Sequence, residues 1–342
     1  MEPLAPLMVT TIGSWPWPGW YLQFCDDAAR DPERFADDDR AEALRDAIRL
    51  AIDDQERAGA DIVTDGEIVR LDPDFSFFVR FSGLERIAPT RRLGSPAPEQ
   101  RVRYQCTGPV SAPKGLGLVD EFKRLTELTR KRPKITVPGP LMLADMVQGG
   151  KVYRDRDSIV EVMLPVVNRE LRALVDAGAT VLQIDEPGYA IAPEKSDIFV
   201  RLVERTAAGV RAFVTLHLCF GNDRGRPLGR RSYAPLFPDL AKCAVQELAL
   251  EFASREMAEL ELLAQIKPPM GVCVGLVDVK SLWVEPPELV AERLRAVLKH
   301  IEPPRVRVAP DCGFGHTARP IAIAKLTNLA AGVQIVRKER GL

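Results

Sequence analysis

Histidine is scarce in this sequence, with three in 342 residues, so one placed beside another metal-binding residue type carries weight. Cysteine is also thin: six residues, at 25, 106, 219, 243, 273 and 312, are too few and too dispersed for a disulfide framework. In a reducing cytoplasm they would remain thiols, some of them free to bind metal. No sign of charge is in surplus, because 47 Lys and Arg face 48 Asp and Glu. Overall charge therefore supplies no footprint for nucleic acid or for an anionic membrane, and a small neutral or zwitterionic substrate is easier to accommodate. No apolar run approaches the roughly 20 residues of a membrane span. The opening MEPLAPLMVTTIGS also lacks a basic segment followed by an apolar stretch. These absences lead us to expect a soluble, cytoplasmic protein.

What is present is a rhythm. Short β-branched runs alternate with longer amphipathic stretches, the pattern of repeated β-α units around a parallel sheet. Strands are expected at 9–14 (VTTIGS), 61–67 (DIVTDGE), 134–140 (KITVPGP), 181–187 (VLQIDEP), 213–219 (FVTLHLC), 247–253 (ELALEFA), 272–278 (VCVGLVD) and 306–313 (VRVAPDCG). The intervening helical patterns at 39–59 and 158–178 each reach a glycine after their last periodic residue, a common helix stop. Eight such units in one chain predict an α/β fold, a (β/α)8 TIM barrel forming a single domain over residues 1–342. An added hairpin is expected between the second and third strands, at 78–108 around the turn GSPAP. A second insertion, 221–238, is rich in Arg, Gly and Pro and reads as a surface loop. Trp15, Trp17 and Trp20 follow the first strand, where they either wall the barrel mouth or pack their own loop.

In such a barrel the active site lies at the C-terminal ends of the strands. Those ends carry Ser14, Asp65, Glu67, Asp185, Glu186, His217, Cys219, Glu251, Asp278, Lys280, Asp311 and Cys312. His217 and Cys219 are alternate residues of one strand and share a face, so both can point at one metal. Glu251 ends the next strand and Cys312 follows the last, which in a circular sheet returns close to the first. Two thiolates, an imidazole and a carboxylate suit zinc. Glu251 sits in the apolar run LALEFA, where a bare charge is expensive to bury; a metal or an ion pair with Lys or Arg would relieve it. Cys312 could instead be a small loop side chain. A site with two Cys and a Glu favours activation of a thiol over activation of water, since hydrolytic zinc sites are more often rich in His.

The strand-end motifs resemble the catalytic domain of cobalamin-independent methionine synthase, in a short form carrying this barrel alone. The resemblance rests on IGS (12–14), DGE (65–67), GP (139–140), IDEP (184–187), HLC (217–219), LALEFA (248–253), VDVKS (277–281) and PDCG (310–313), and covers nearly the whole chain. It implies zinc ligands at His217, Cys219, Glu251 and Cys312. It also implies an amino-acid pocket in which Ile12 and Ser14 meet the substrate carboxylate while Glu67 and Asp185 receive the ammonium. Glu186 then falls to a structural role, although Asp185 and Glu186 could also brace the zinc ligands or cap a helix before Pro187. Two carboxylates beside a small donor loop complement a zwitterion.

The departures fall on the donor side. Lys280 stands where folate-using members carry a His thought to protonate the pterin. Met146 lies near the place of a pterin-stacking Trp, and Gln105-Cys106 replaces an Arg-Cys pair. The resemblance therefore implies methyl transfer to homocysteine, giving methionine, from methylcobalamin on a corrinoid protein in preference to polyglutamated methylfolate. Lys280 is expected to serve as a general acid or an anion contact, or else to be a rim lysine in solvent. Rival expectations are alkyl transfer to another thiol, as in joining coenzyme M to epoxides, and a metal-free lyase resembling uroporphyrinogen decarboxylase. A third is a closed structural zinc site completed by His316.

Overall fold

A computed structural model of the chain describes residues 4–70, 77–87, 103–191, 196–222, 225–228 and 230–342. In chain order, α1 (Gly19–Arg30) and α2 (Asp37–Arg57) precede β1 (Ile62–Val63), β2 (Ser82–Ile87) and β3 (Arg103–Ser111). Then come α3 (Leu118–Leu128), β4 (Arg132–Pro133), β5 (Ile135–Pro138), α4 (Pro140–Asp145), β6 (Val147–Gln148) and α5 (Arg156–Asp176). The rest comprises β7 (Val181–Asp185), α6 (Pro187–Ile191), α7 (Ser196–Thr206), β8 (Phe213–Leu218), β9 (Glu247–Leu250), β10 (Gly271–Val277), α8 (Pro287–Val297), β11 (Val306–Pro310) and α9 (Arg319–Arg340).

Six strands form a parallel sheet in the order β11-β10-β9-β8-β7-β5. Their runs are apolar with little alternation and buried almost throughout, as parallel strands covered on both faces must be. Beyond β11, Val9 bridges Val308 and Thr10 bridges Ile62, both in parallel. β1 then pairs in parallel with β4, and Lys134 N, at the start of β5, donates to Val63 O at 2.9 Å. All eight segments expected to be strands take part in this parallel pairing, some through only one or two residues.

The helices cover the sheet with one apolar face each. α2 buries Ala47, Ile48, Ala51 and Ile52 at helical spacing, and α5 buries Ile159, Met163, Val167, Leu171 and Leu174. Both run into the glycines that the sequence offers as stops, Gly59 and Gly178, whose φ values of +96° and +101° suit a residue without Cβ. No helix among the described residues is long and apolar enough to cross a membrane.

β2 pairs antiparallel with β3, from Ile87↔Arg103 to Ser82↔Ser111, and β3 continues in parallel to β6. The turn expected at 94–98 lies outside the described residues. Gln105 is on β3, opposite Glu85 and beside Gln148, while Cys106 is buried. Met146 caps the end of α4 and packs partly buried against the core.

The segment 221–238 is not simply a surface loop. Tyr233 and Leu236 are fully buried, and the Tyr233 ring packs on Phe220 and Phe252. Its composition masked this, because the arginines and glycines dominate while the apolar residues are gathered at its end. Trp15 is buried with its Nε1 donating to Asp54 at 3.0 Å; Trp20 is exposed and Trp17 half-buried.

Candidate functional site

The strand ends converge on a small group of donors. His217 is the penultimate residue of β8, Cys219 follows that strand, and Cys312 follows β11. Their ligand atoms all lie within 4.8 Å of one another, with the two sulfurs 3.6 Å apart. His217 Nδ1 meets Asp185 Oδ1 at 2.8 Å, and Gln183 Nε2 donates to the same oxygen at 2.7 Å. The other ring nitrogen, Nε2, is buried and without a hydrogen-bond partner. A buried orphan of this kind is costly unless something binds it. With a carboxylate holding Nδ1, Nε2 is the nitrogen left to a metal, the usual outer support of a metal-binding His. Two sulfurs and an imidazole are the donor types zinc takes, so the residues present fit that ion.

The charges in the group are uneven. Burial works against protonation of His217, but the Asp185 carboxylate and the Cys312 sulfur outweigh it and raise its pKa to about 10. Cys312 is held well below the ordinary thiol value, first by the Cys219 thiol and then by His217. Cys219 is pushed the other way by Cys312 and by burial. Within the trio, negative charge is therefore favoured at Cys312 over Cys219.

Glu251 follows β9, fully buried, and is not one of the three clustered donors. Lys280 Nζ reaches both of its carboxylate oxygens at 2.9 Å, Ser254 Oγ donates to Oε1 at 2.6 Å, and Phe220 N donates to Oε2 at 3.1 Å. The ion-pair reading of Glu251 is therefore realised. The reading of Lys280 as a rim lysine in solvent is wrong, since its side chain is 5% exposed. Burial opposes its charge, yet the Glu251 carboxylate and Cys312 hold its pKa above the ordinary lysine value. Composition concealed the burial, because the loop VDVKSLW reads as surface. Glu285 anchors that loop, accepting from Asp278 N at 2.7 Å and from the fully buried Lys325 at 2.7 Å.

Sequence reasoning missed Tyr233, and it named Asp311 among the strand ends without giving it a role. Tyr233 Oη donates to Leu218 O and accepts from Glu251 N, both at 2.9 Å, pinning β8 to β9 at the site. Asp311 accepts from the backbone N–H groups of Phe252, Ala253 and Ser254, at 3.0, 2.9 and 2.5 Å, and so shapes the turn after Glu251. The neighbourhood of Asp311 and Cys312 in sequence was a usable signal for the latter; nothing local pointed to Tyr233.

A cavity of about 430 Å³ is lined by Ser14, Trp17, Leu22, Glu67, His316 and Arg319 among others, and by none of the three donors. Ser14 Oγ accepts from Gly315 N at 3.3 Å, and Ser14 O from Phe314 N at 2.9 Å. Ile12 is buried with Ala249, Cys273 and Ala309. Glu67 has a left-handed backbone, φ +57°, an unusual and costly conformation for a residue with a side chain. Its Oε1 accepts from Thr136 Oγ1 at 2.6 Å and pairs with Arg70 at 3.1 Å. Burial raises the Glu67 pKa against the pull of Arg70, with Asp185 adding repulsion. Arg70 is also committed to Glu121 at 2.9 Å. Its position three residues after Glu67 was the available clue. Glu186 accepts from Leu141 N and Met142 N at 2.9 and 2.8 Å, a bracing contact at the start of α4. His316 is exposed and stands outside the donor trio.

The chain matches the family described as "Cobalamin-independent synthase, Catalytic domain" over residues 7–334. It is 32% identical over 341 residues to the methionine synthase of Thermococcus kodakarensis, covering 98% of this chain and 95% of that protein. It is 30% identical over 344 residues to that of Pyrococcus abyssi, with coverages of 98% and 94%. Among solved structures, a B12-independent methionine synthase from Shewanella sp. W3-18-1, in complex with selenomethionine, superposes with a TM-score of 0.83 at 28% identity, covering 98% of this chain and 99% of that one. The chain belongs to the cobalamin-independent methionine synthase family and is an enzyme of the methyltransferase type.

Proposed function

We propose that the chain methylates the thiol of homocysteine to give methionine, using a zinc ion held by His217, Cys219 and Cys312 with Glu251 as a fourth ligand. The observation that carries this reading is the trio of donors within 4.8 Å around a buried, unpartnered His217 Nε2. When bound, zinc would let a substrate thiol lose its proton near neutral pH. The residues do the rest. Asp185 orients His217, and its carboxylate with that of Glu67 receives the substrate ammonium; Ser14 and the backbone at Ile12 meet the substrate carboxylate. Relatives named methionine synthase, and a related structure holding selenomethionine, support an amino-acid substrate. The parallel pairing that runs from β11 through residues 9–10 to β1 supports a closed (β/α)8 barrel, and β2 with β3 supports the inserted hairpin. We read residues 1–342 as one domain and place the enzyme in the cytoplasm.

For the methyl donor we propose methylcobalamin presented by a corrinoid protein, supported by Lys280, Met146 and Gln105 where a folate site would need other residues. The relatives' independence from B12 weighs against a resident corrinoid, so the corrinoid enters this proposal only as a delivered substrate. A thiol with an anionic tail, such as coenzyme M, is a poorer fit: Arg70 and Arg319 are each already paired with a carboxylate. The lyase reading is disfavoured by the family match, and the closed structural site by the exposure of His316, which is not among the clustered donors. The test is a zinc-replete assay with homocysteine and, in parallel, methylcobalamin, methylfolate or an epoxide. Methionine from methylcobalamin is expected; no methionine from either methyl donor would overturn the reading.

A further inference from the structure

Glu251 presents a contradiction. It is proposed as a metal ligand, yet all of its acceptor positions are taken. Ser254 Oγ and Phe220 N hold one position on each oxygen, and Lys280 Nζ bridges both at 2.9 Å. These partners differ in mobility. Phe220 N is backbone, fixed by the end of β8, and Ser254 is held through its own N–H by Asp311. Lys280 alone arrives on a flexible four-carbon stem, from a loop whose backbone is anchored separately by Asp278 and Glu285. Its ammonium can leave without the loop unfolding.

We propose that Lys280 is a stand-in cation: it neutralises and positions the Glu251 carboxylate before metal enters, and withdraws from it when the metal arrives. The inference rests on the zinc reading above. A buried carboxylate without a partner is strongly destabilising, so the empty site needs a cation to stay assembled. Phe220 N, next to Cys219, donates to Glu251, which puts the carboxylate beside the trio. A divalent ion bound there competes with the ammonium for the same oxygens. Lys280 thereby makes the metal-free protein sturdier and its metal affinity weaker, a trade between folding and loading.

The experiment uses the full chain stripped of metal, with zinc as the probe, comparing wild type, Lys280→Met and the Lys280→Met/Glu251→Gln double variant. Metal analysis gives the stoichiometry, chelator competition the affinity, melting curves the stability, and X-ray absorption the ligand types. For Lys280→Met we expect a lower melting temperature without zinc, a larger rise on adding zinc, and zinc bound about tenfold more tightly, the scale on which partners of metal ligands act. The double variant removes both charges; it should regain the metal-free melting temperature and lose the gain in affinity, which separates charge release from misfolding. Absorption should show an oxygen ligand in zinc-loaded wild type. Unchanged or weaker zinc binding in Lys280→Met, or no oxygen ligand in wild type, overturns the stand-in role while leaving the site itself intact. Failure of wild type to take up stoichiometric zinc removes the metal reading and this inference with it.

Discussion

Asp311 offers a sharp test of how the site is held. Its carboxylate accepts three backbone N–H bonds, two of them fully buried at Phe252 and Ala253 and one part-buried at Ser254. Asp311→Ala orphans all three. An unmade buried hydrogen bond costs about 1–3 kcal/mol, so the two buried groups together cost about 2–6 kcal/mol, while water can reach Ser254. Removing a carboxyl that repels Glu251 returns part of this. We expect a net loss of about 3 kcal/mol, or a fall in melting temperature of about 4 °C for a chain of this size. Asp311→Asn keeps an acceptor for Phe252 and Ala253 but turns an amide toward the Ser254 N–H, and should fall between wild type and the alanine variant. Because Ser254 Oγ also holds Glu251, zinc affinity should drop in parallel with stability. Thermal melts with chelator titrations read both. An alanine variant melting within 1 °C of wild type would refute the view that Asp311 shapes this turn.

Two further outcomes follow. Asp185→Asn keeps an oxygen for His217 Nδ1 and Gln183 but loses the charge, so zinc affinity measured by chelator competition should fall about 10–100-fold; a change under twofold would remove Asp185 as the brace of His217. Burial raises the Glu186 pKa from 4.5 to about 8, against the pull of Leu141 and Met142 N–H. The folded chain then keeps a proton that the unfolded chain releases, a contribution full below pH 4.5 and lost as pH rises through 8. Melting temperature across that window should therefore decline less steeply in Glu186→Gln than in wild type; parallel declines would contradict the assignment.

The strands and donors were legible because their signals are local. Runs such as VLQID and FVTLHL declare parallel strands by composition, and the H-x-C spacing puts His217 and Cys219 on one face whatever surrounds them. Cys312 became legible once its strand was read as the last of a closing series. Pairing between distant segments was not legible. That Lys280 bridges Glu251 depends on how the loop after β10 folds inward, held by its own Glu285 and by Lys325 from far along the chain. Tyr233 was hidden for a different reason: its buried role is carried by a single hydroxyl within a stretch dominated by Arg, Gly and Pro. The sequence suggested a substrate contact for Asp185, while its geometry adds a bond to His217, a role that had remained an alternative.

The central claim is a zinc ion on these strand ends, and metal analysis joined to X-ray absorption on zinc-replete protein tests it most directly. The account predicts one zinc per chain, with two sulfur ligands, one imidazole nitrogen and one oxygen, lost on His217→Ala or Cys219→Ala. Substoichiometric zinc in metal-replete protein, or a ligand set that survives loss of His217 or Cys219, would contradict it.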